Sequence, residues 1–87
     1  MKKIELKVDK EYFEQILSGS KNFEIRLGDK NIEIGDMLVL LERDPLTKKL
    51  TSRKIEKIVT VLRNTKDINH WPRMEIEKYG LQIIGFK

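Results

Sequence analysis

The chain reads as an α+β protein: a small twisted β-barrel of about five to six strands with one or two short helices. Three observations point there. Several short segments alternate charged and apolar residues, one early stretch places apolar residues at helical spacing, and one strand is apolar on both faces. Closing a sheet into a barrel removes its edges and covers such a strand. The 87 residues leave room for one domain, spanning 1–87. A domain of this size buries only about 60–65% of its unfolded surface, so most side chains must serve the core.

Lys3 to Val8 alternates charged and apolar residues without a break, as a half-buried strand does. Asp9 offers an N-cap, and Tyr12, Phe13, Ile16 and Leu17 form one apolar stripe, predicting a helix over 9–18 that Gly19 closes. Residues 22–27 form a second strand, with Phe23, Ile25 and Leu27 on one face and Glu24 and Arg26 on the other. Burying the apolar face assigns Phe23, Ile25 and Leu27 to the core with Phe13, Ile16, Val39 and Leu41. On that assignment Phe23→Ala costs about 3–5 kcal/mol. Gly28 to Asn31 is turn chemistry. Ile32 and Ile34 pack before a Gly35-Asp36 turn, where the Asp36 side chain bonds its own backbone. Met37 to Glu42 is the central strand, and Asp44-Pro45-Leu46-Thr47 a type I-like turn. A long return strand runs from about Leu50 to Arg63, with a bulge expected near Lys57 where the apolar parity changes. Asn64 to Lys78 lacks clean periodicity and reads as a long loop with room for a helical turn, with Trp71 as a plug over one barrel end. His70 and Trp71 also offer a stacking platform for a base. Tyr79 to Phe86 is the final strand.

With no cysteine, disulfides, Cys-ligated zinc, iron–sulfur clusters and thiol nucleophiles are excluded. A single histidine leaves a His-based metal cage or a Ser–His–Asp triad without its parts, so no metal and no cofactor are expected. The longest apolar run, Met37 to Leu41, is far short of the roughly 20 residues that cross a bilayer, so no membrane partner is expected. Lys2, Lys3, Glu5 and Lys7 break up the apolar core that a signal peptide needs, which makes the cytoplasm the expected compartment. The net charge is +4. Arg43, Lys48, Lys49, Arg53, Lys54 and Lys57, against Asp44 and Glu56, carry that whole excess. Such a stretch suits either a phosphate backbone or a lysine-blunted strand edge.

The candidate site is the segment from Ser18 to Arg26. A helix ends in a glycine turn, Lys21 follows, and Glu24 and Arg26 share a strand face with Cβ atoms about 6.5–7 Å apart. Together they make a compact polar site in which the carboxylate accepts protons or hydrogen bonds and the guanidinium grips phosphate or carbonyl groups. The alternative is a solvent-facing ion pair worth about 0–1 kcal/mol.

Residues 3–42 resemble the ASCH domain of the PUA-like superfamily, close to a small bacterial and phage subfamily. The matching residues are Ile4, Leu6-Lys7, Tyr12-Phe13 and the run Ile16-Leu17-Ser18-Gly19-Ser20-Lys21-Asn22-Phe23-Glu24-Ile25-Arg26. The match continues through Asp29-Lys30-Asn31 and Ile34-Gly35-Asp36 into the central strand up to Glu42. Asn22 replaces the usual Thr, and Lys30 stands where the close subfamily often has Arg. Thr51-Ser52-Arg53 and Tyr79 to Phe86 match in outline. The resemblance implies a PUA-like barrel that binds RNA or a nucleotide through Lys21, Glu24, Arg26, Asp29, Arg43, Lys49, Arg53 and Lys54. A second implication is a small amidohydrolase acting on N4-acylated cytidine-type nucleosides. There Lys21 is the catalytic lysine, Glu24 occupies the position of a catalytic threonine, and Glu75 or Glu77 is the distal carboxylate.

Overall fold

The structure is a computed structural model that describes residues 1–67 and 72–87. Strand β1 (Lys3–Asp9) leads into helix α1 (Lys10–Leu17), followed by β2 (Phe23–Leu27), β3 (Met37–Arg43) and β4 (Leu50–Asn64). A 3₁₀ turn at Thr65–Asp67, helix α2 (Arg73–Tyr79) and β5 (Leu81–Phe86) complete the chain. The strands form one curled five-stranded sheet in the order β1-β3-β4-β5-β2. The β1–β3 pair is parallel and the other three are antiparallel. The α+β class, the strand number and the two short helices agree with the sequence expectation.

The curl comes from β4. Its first half pairs with β3 and its second half with β5, so one 15-residue strand carries the sheet around the core. Val59 faces Phe86 and Val61 faces Gly85, which leaves Thr60 as the extra residue of a bulge. The parity change therefore falls at Thr60 and not near Lys57, where pairing to β3 runs unbroken. Strands β1 and β2 end at opposite edges of the sheet order, and the curl brings these edges together. There Arg26 Nη2 donates to the Lys7 carbonyl at 2.6 Å, a strut across the seam.

The core joins Leu6, Val8, Leu38 and Leu40 of the parallel pair to Phe13 and Ile16 of α1, with Ile32, Val59, Ile84 and Phe86 closing it. Central β3 is buried on both faces through Leu38, Val39 and Leu40, as its apolar run predicts. Asp36 anchors the turn before it, accepting from the Glu33 amide at 2.8 Å and from Lys2 Nζ at 2.7 Å. The Lys2 ammonium, then the Lys2 amide, hold its carboxyl down to about 2.

Three further expectations are corrected. Strand β2 is inverted: Phe23, Ile25 and Leu27 are 43%, 53% and 52% exposed, while Glu24 is only 5% exposed. The inner positions beside β2 are taken by Ile84 and Gln82 of β5, which face Glu24 and Arg26 in register. Ile34 points outward, and only Ile32 packs. Asp9 stands at the N-cap position of α1, yet makes no side-chain cap bond, because its carboxylate takes Arg43 Nε at 2.8 Å instead. The helical turn allowed within the expected loop is the seven-residue α2, which starts after Pro72 and is braced by an Arg73–Glu77 ion pair one turn apart. Its Met74 is exposed and Ile76 half-buried, so no apolar stripe announces it. His70 and Trp71 lie outside the described residues. Among those residues no helix is long and apolar enough to cross a membrane.

Candidate functional site

The end of α1 sets the geometry. Gly19 adopts φ +86°, a left-handed value that glycine takes without strain. Past it, the Lys21 amide donates back to the Gln15 carbonyl at 3.0 Å, and Ser18 and Ser20 hydroxyls donate to the same oxygen. This capping fixes Lys21 at the entrance to β2. Its ammonium lies 5.1 Å from the Tyr12 ring centre and 5.2 Å from that of Phe23, within cation–π range of both.

Lys21 Nζ donates to Glu24 Oε1 at 2.6 Å, and Arg26 Nε donates to Oε2 at 2.9 Å. Each oxygen of the buried carboxylate thus receives one charge-assisted hydrogen bond, the condition under which a buried charge is tolerated. A carboxylate offers about four acceptor directions, so a ligand N–H can still be received. The three residues expected to converge do so.

Around this triad lies a cleft of about 440 Å³ at the β1–β2 seam, a size suited to a small ligand. Tyr12, Phe23 and Ile25 supply its apolar walls. Lys7 and Arg43 join Lys21 and Arg26 as cations, against the carboxylates of Asp9 and Glu24. Because β2 is an edge strand, residues from both of its faces reach this seam. The bond from Arg43 holds the Asp9 carboxyl below its ordinary value.

The other expected site residues separate. Arg43 lines the cleft, whereas Asp29 borders a neighbouring cavity. Lys49 and Lys54 are exposed on the β3–β4 hairpin. Arg53 is committed elsewhere. Its guanidinium donates to both Glu42 oxygens, at 3.0 and 2.6 Å, also reaches Glu14 of α1, and lies 4.9 Å from the Phe13 ring centre. Glu42, at the end of the central strand, is buried and also accepts from the Thr51 hydroxyl. Bonds from Arg53 and then Thr51 hold the Glu42 carboxyl down to about 2, and the two carboxylates push the Arg53 guanidinium up. Glu75 and Glu77 sit exposed on α2, where Glu77 accepts from Arg73 Nε at 2.5 Å, and neither lines the cleft. Among the described residues no three His, Cys, Asp or Glu side chains are grouped to hold a metal ion.

Sequence reasoning missed Tyr12 and Phe23 as cleft walls by assigning both to buried stripes. The available signal was the pairing of two charges with an aromatic residue on a five-residue strand, which any choice of face leaves half satisfied.

Residues 4–71 match the family described as "Domain of unknown function (DUF3850)". The chain belongs to the DUF3850 family. This DUF3850 chain is similar to the "Uncharacterized 12.9 kDa protein in GpA 3'region" of Escherichia phage P2, at 38% identity over 83 residues. That match covers 93% of this chain and 68% of the phage protein. The DUF3850 fold is shared with the crystal structure of the hypothetical protein PH0355, with a TM-score of 0.66 and 22% identity. The alignment covers 100% of this chain and 98% of that one.

Proposed function

We propose that this DUF3850 domain is a cytoplasmic RNA- or nucleotide-binding module of PUA-like, ASCH type, with its ligand in the seam cleft. The observation that carries the reading is the inversion of β2. A strand that buries Glu24 and exposes Phe23, Ile25 and Leu27 works against the ordinary sorting of polar and apolar side chains. Such local conflicts are expected where function, not stability, set the sequence. What the conflict produces is an aromatic-walled cleft with four cations against two carboxylates, one of them buried, the chemistry that takes a stacked base and an adjacent phosphate. The amidohydrolase reading has less support, because neither Glu75 nor Glu77 borders the cleft.

The test is a titration with short single-stranded RNA at two salt concentrations, beside a turnover assay on N4-acetylcytidine. Salt-dependent binding is expected, weakened about tenfold or more by Tyr12→Ala through lost stacking. Failure to bind, together with turnover that Lys21→Ala abolishes, overturns the binding reading in favour of the hydrolase.

A further inference from the structure

The seam does not end at the cleft. It continues into a saddle of about 320 Å³ flanked by Lys7, Lys30, Arg43 and Arg26, with Glu5 as its carboxylate. Beyond the saddle lies a cavity of about 240 Å³ with an apolar floor of Leu6, Leu27 and Ile32. Cleft and saddle share Lys7, Arg26 and Arg43, and saddle and cavity share Leu6, Arg26 and Lys30. The three therefore form one groove, and Arg26 borders every part of it.

Gln82 lines the far cavity and is only 8% exposed. Its Nε2 donates to the Lys30 carbonyl at 3.2 Å, which fixes the orientation of the amide. The oxygen that remains, Oε1, is buried with no hydrogen-bond partner among the described residues. Unmet acceptors of this kind are uncommon in folded proteins. Gln82 is also the cross-strand partner of Arg26, and both line the far cavity, so an unmet acceptor and a guanidinium border the same space. That pair complements a Watson–Crick edge presenting an amino donor next to an acceptor nitrogen, which adenine and cytosine have. Uracil and guanine present a carbonyl oxygen at the corresponding place.

We infer that the groove binds a single-stranded dinucleotide or a longer strand. One base occupies the Tyr12–Phe23 cleft, and the bridging phosphate rests on the Lys7–Lys30–Arg43 saddle. The second base, adenine or cytosine, donates its exocyclic amine to Gln82 Oε1. This rests on the RNA reading of the cleft and adds to it a minimum ligand length and a base preference.

The experiment measures wild-type affinity for ApA, CpC, UpU and GpG, for AMP and CMP, and for a mixed-sequence single strand, all at one salt concentration. ApA and CpC are expected to bind roughly tenfold or more tightly than UpU and GpG. They are also expected to exceed AMP and CMP, because only a dinucleotide fills saddle and cavity together. Gln82→Met, which keeps the bulk and removes the acceptor, is expected to erase the preference of ApA and CpC over UpU and GpG. The wild-type ranking decides the matter even where that variant folds poorly. Equal affinity for the four dinucleotides, or dinucleotides no tighter than mononucleotides, overturns this inference while leaving the cleft reading intact. No binding by any nucleotide, the long strand included, overturns both.

Discussion

At the scale of single residues, Glu24 is the most exposed to test. Its carboxylate is buried and held by Lys21 at 2.6 Å and Arg26 at 2.9 Å. Glu24→Ala leaves two cations without their counter-ion in a cleft with apolar walls. The cations keep some solvent contact, so the expected loss is about 2–3 kcal/mol, below the range for a fully buried pair. In a chain of this size that lowers the melting temperature by roughly 10–20 °C, read from a thermal melt. A contrast between two phenylalanines checks the orientation of β2. Phe13 is 1% exposed and packs under the Arg53 guanidinium, so Phe13→Ala is expected to cost about 3–5 kcal/mol. Phe23 is nearly half exposed, so Phe23→Ala is expected to cost no more than about 1.5 kcal/mol while weakening ligand binding. Equal destabilisation by the two changes would place Phe23 in the core and sink the inverted strand.

At the scale of elements, Arg53 ties three of them together. Residues 51–53 bulge from β4 opposite Glu42, with Ser52 at φ +75°, and this turns Thr51 and Arg53 onto the same carboxylate. Arg53 then reaches Glu14, so β3, β4 and α1 meet at one guanidinium. The consequence is a pH dependence. The folded Glu42 carboxyl lies at about 2, below its ordinary 4.5, so folding favours the ionised form. The stability it contributes is complete above the unfolded value and is lost as pH falls from about 4.5 through about 2. Asp36 adds a parallel loss between 3.8 and about 2. Denaturant midpoints measured across this window are expected to fall steeply in the wild type. Glu42→Gln is expected to lower stability at neutral pH and to flatten the acid slope by up to one proton. An unchanged slope would show that the Glu42 carboxyl titrates alike in the folded and unfolded chain, which overturns its stabilisation by Arg53 and Thr51.

At the scale of the whole molecule, the charge excess resolves into two populations. Arg53 is internally paired, whereas Lys49 and Lys54 stand exposed on the hairpin. If the hairpin touches the phosphates of bound RNA, changing Lys49 and Lys54 to Gln weakens every RNA alike and lowers the salt slope by up to about 1.4–1.8. Arg26→Ala is expected to act differently, reducing discrimination between ligands, because its guanidinium borders each part of the groove in fixed geometry. Titrations of both variants at two salt concentrations separate the effects. An unchanged slope after the double change would leave the hairpin as a solvated edge.

Local pattern by itself determined the first strand, the first helix, the glycine turn, the apolar central strand and the spacing that lets Lys21, Glu24 and Arg26 meet. Each of these depends on interactions within a few residues, which a linear sequence displays. Alternation along β2 also showed that residues 23, 25 and 27 share one face and 24 and 26 the other. Which face turns inward was decided only by the tertiary structure. The curl of β4 brings β2 to an edge, Ile84 and Gln82 fill the space beside it, and cations from two elements neutralise Glu24. The Glu42–Arg53 bond, the Arg26 strut to Lys7 and the unmet oxygen of Gln82 join residues distant in sequence. Their partners are set by how strands curl and pair, and no periodicity along the chain encodes that.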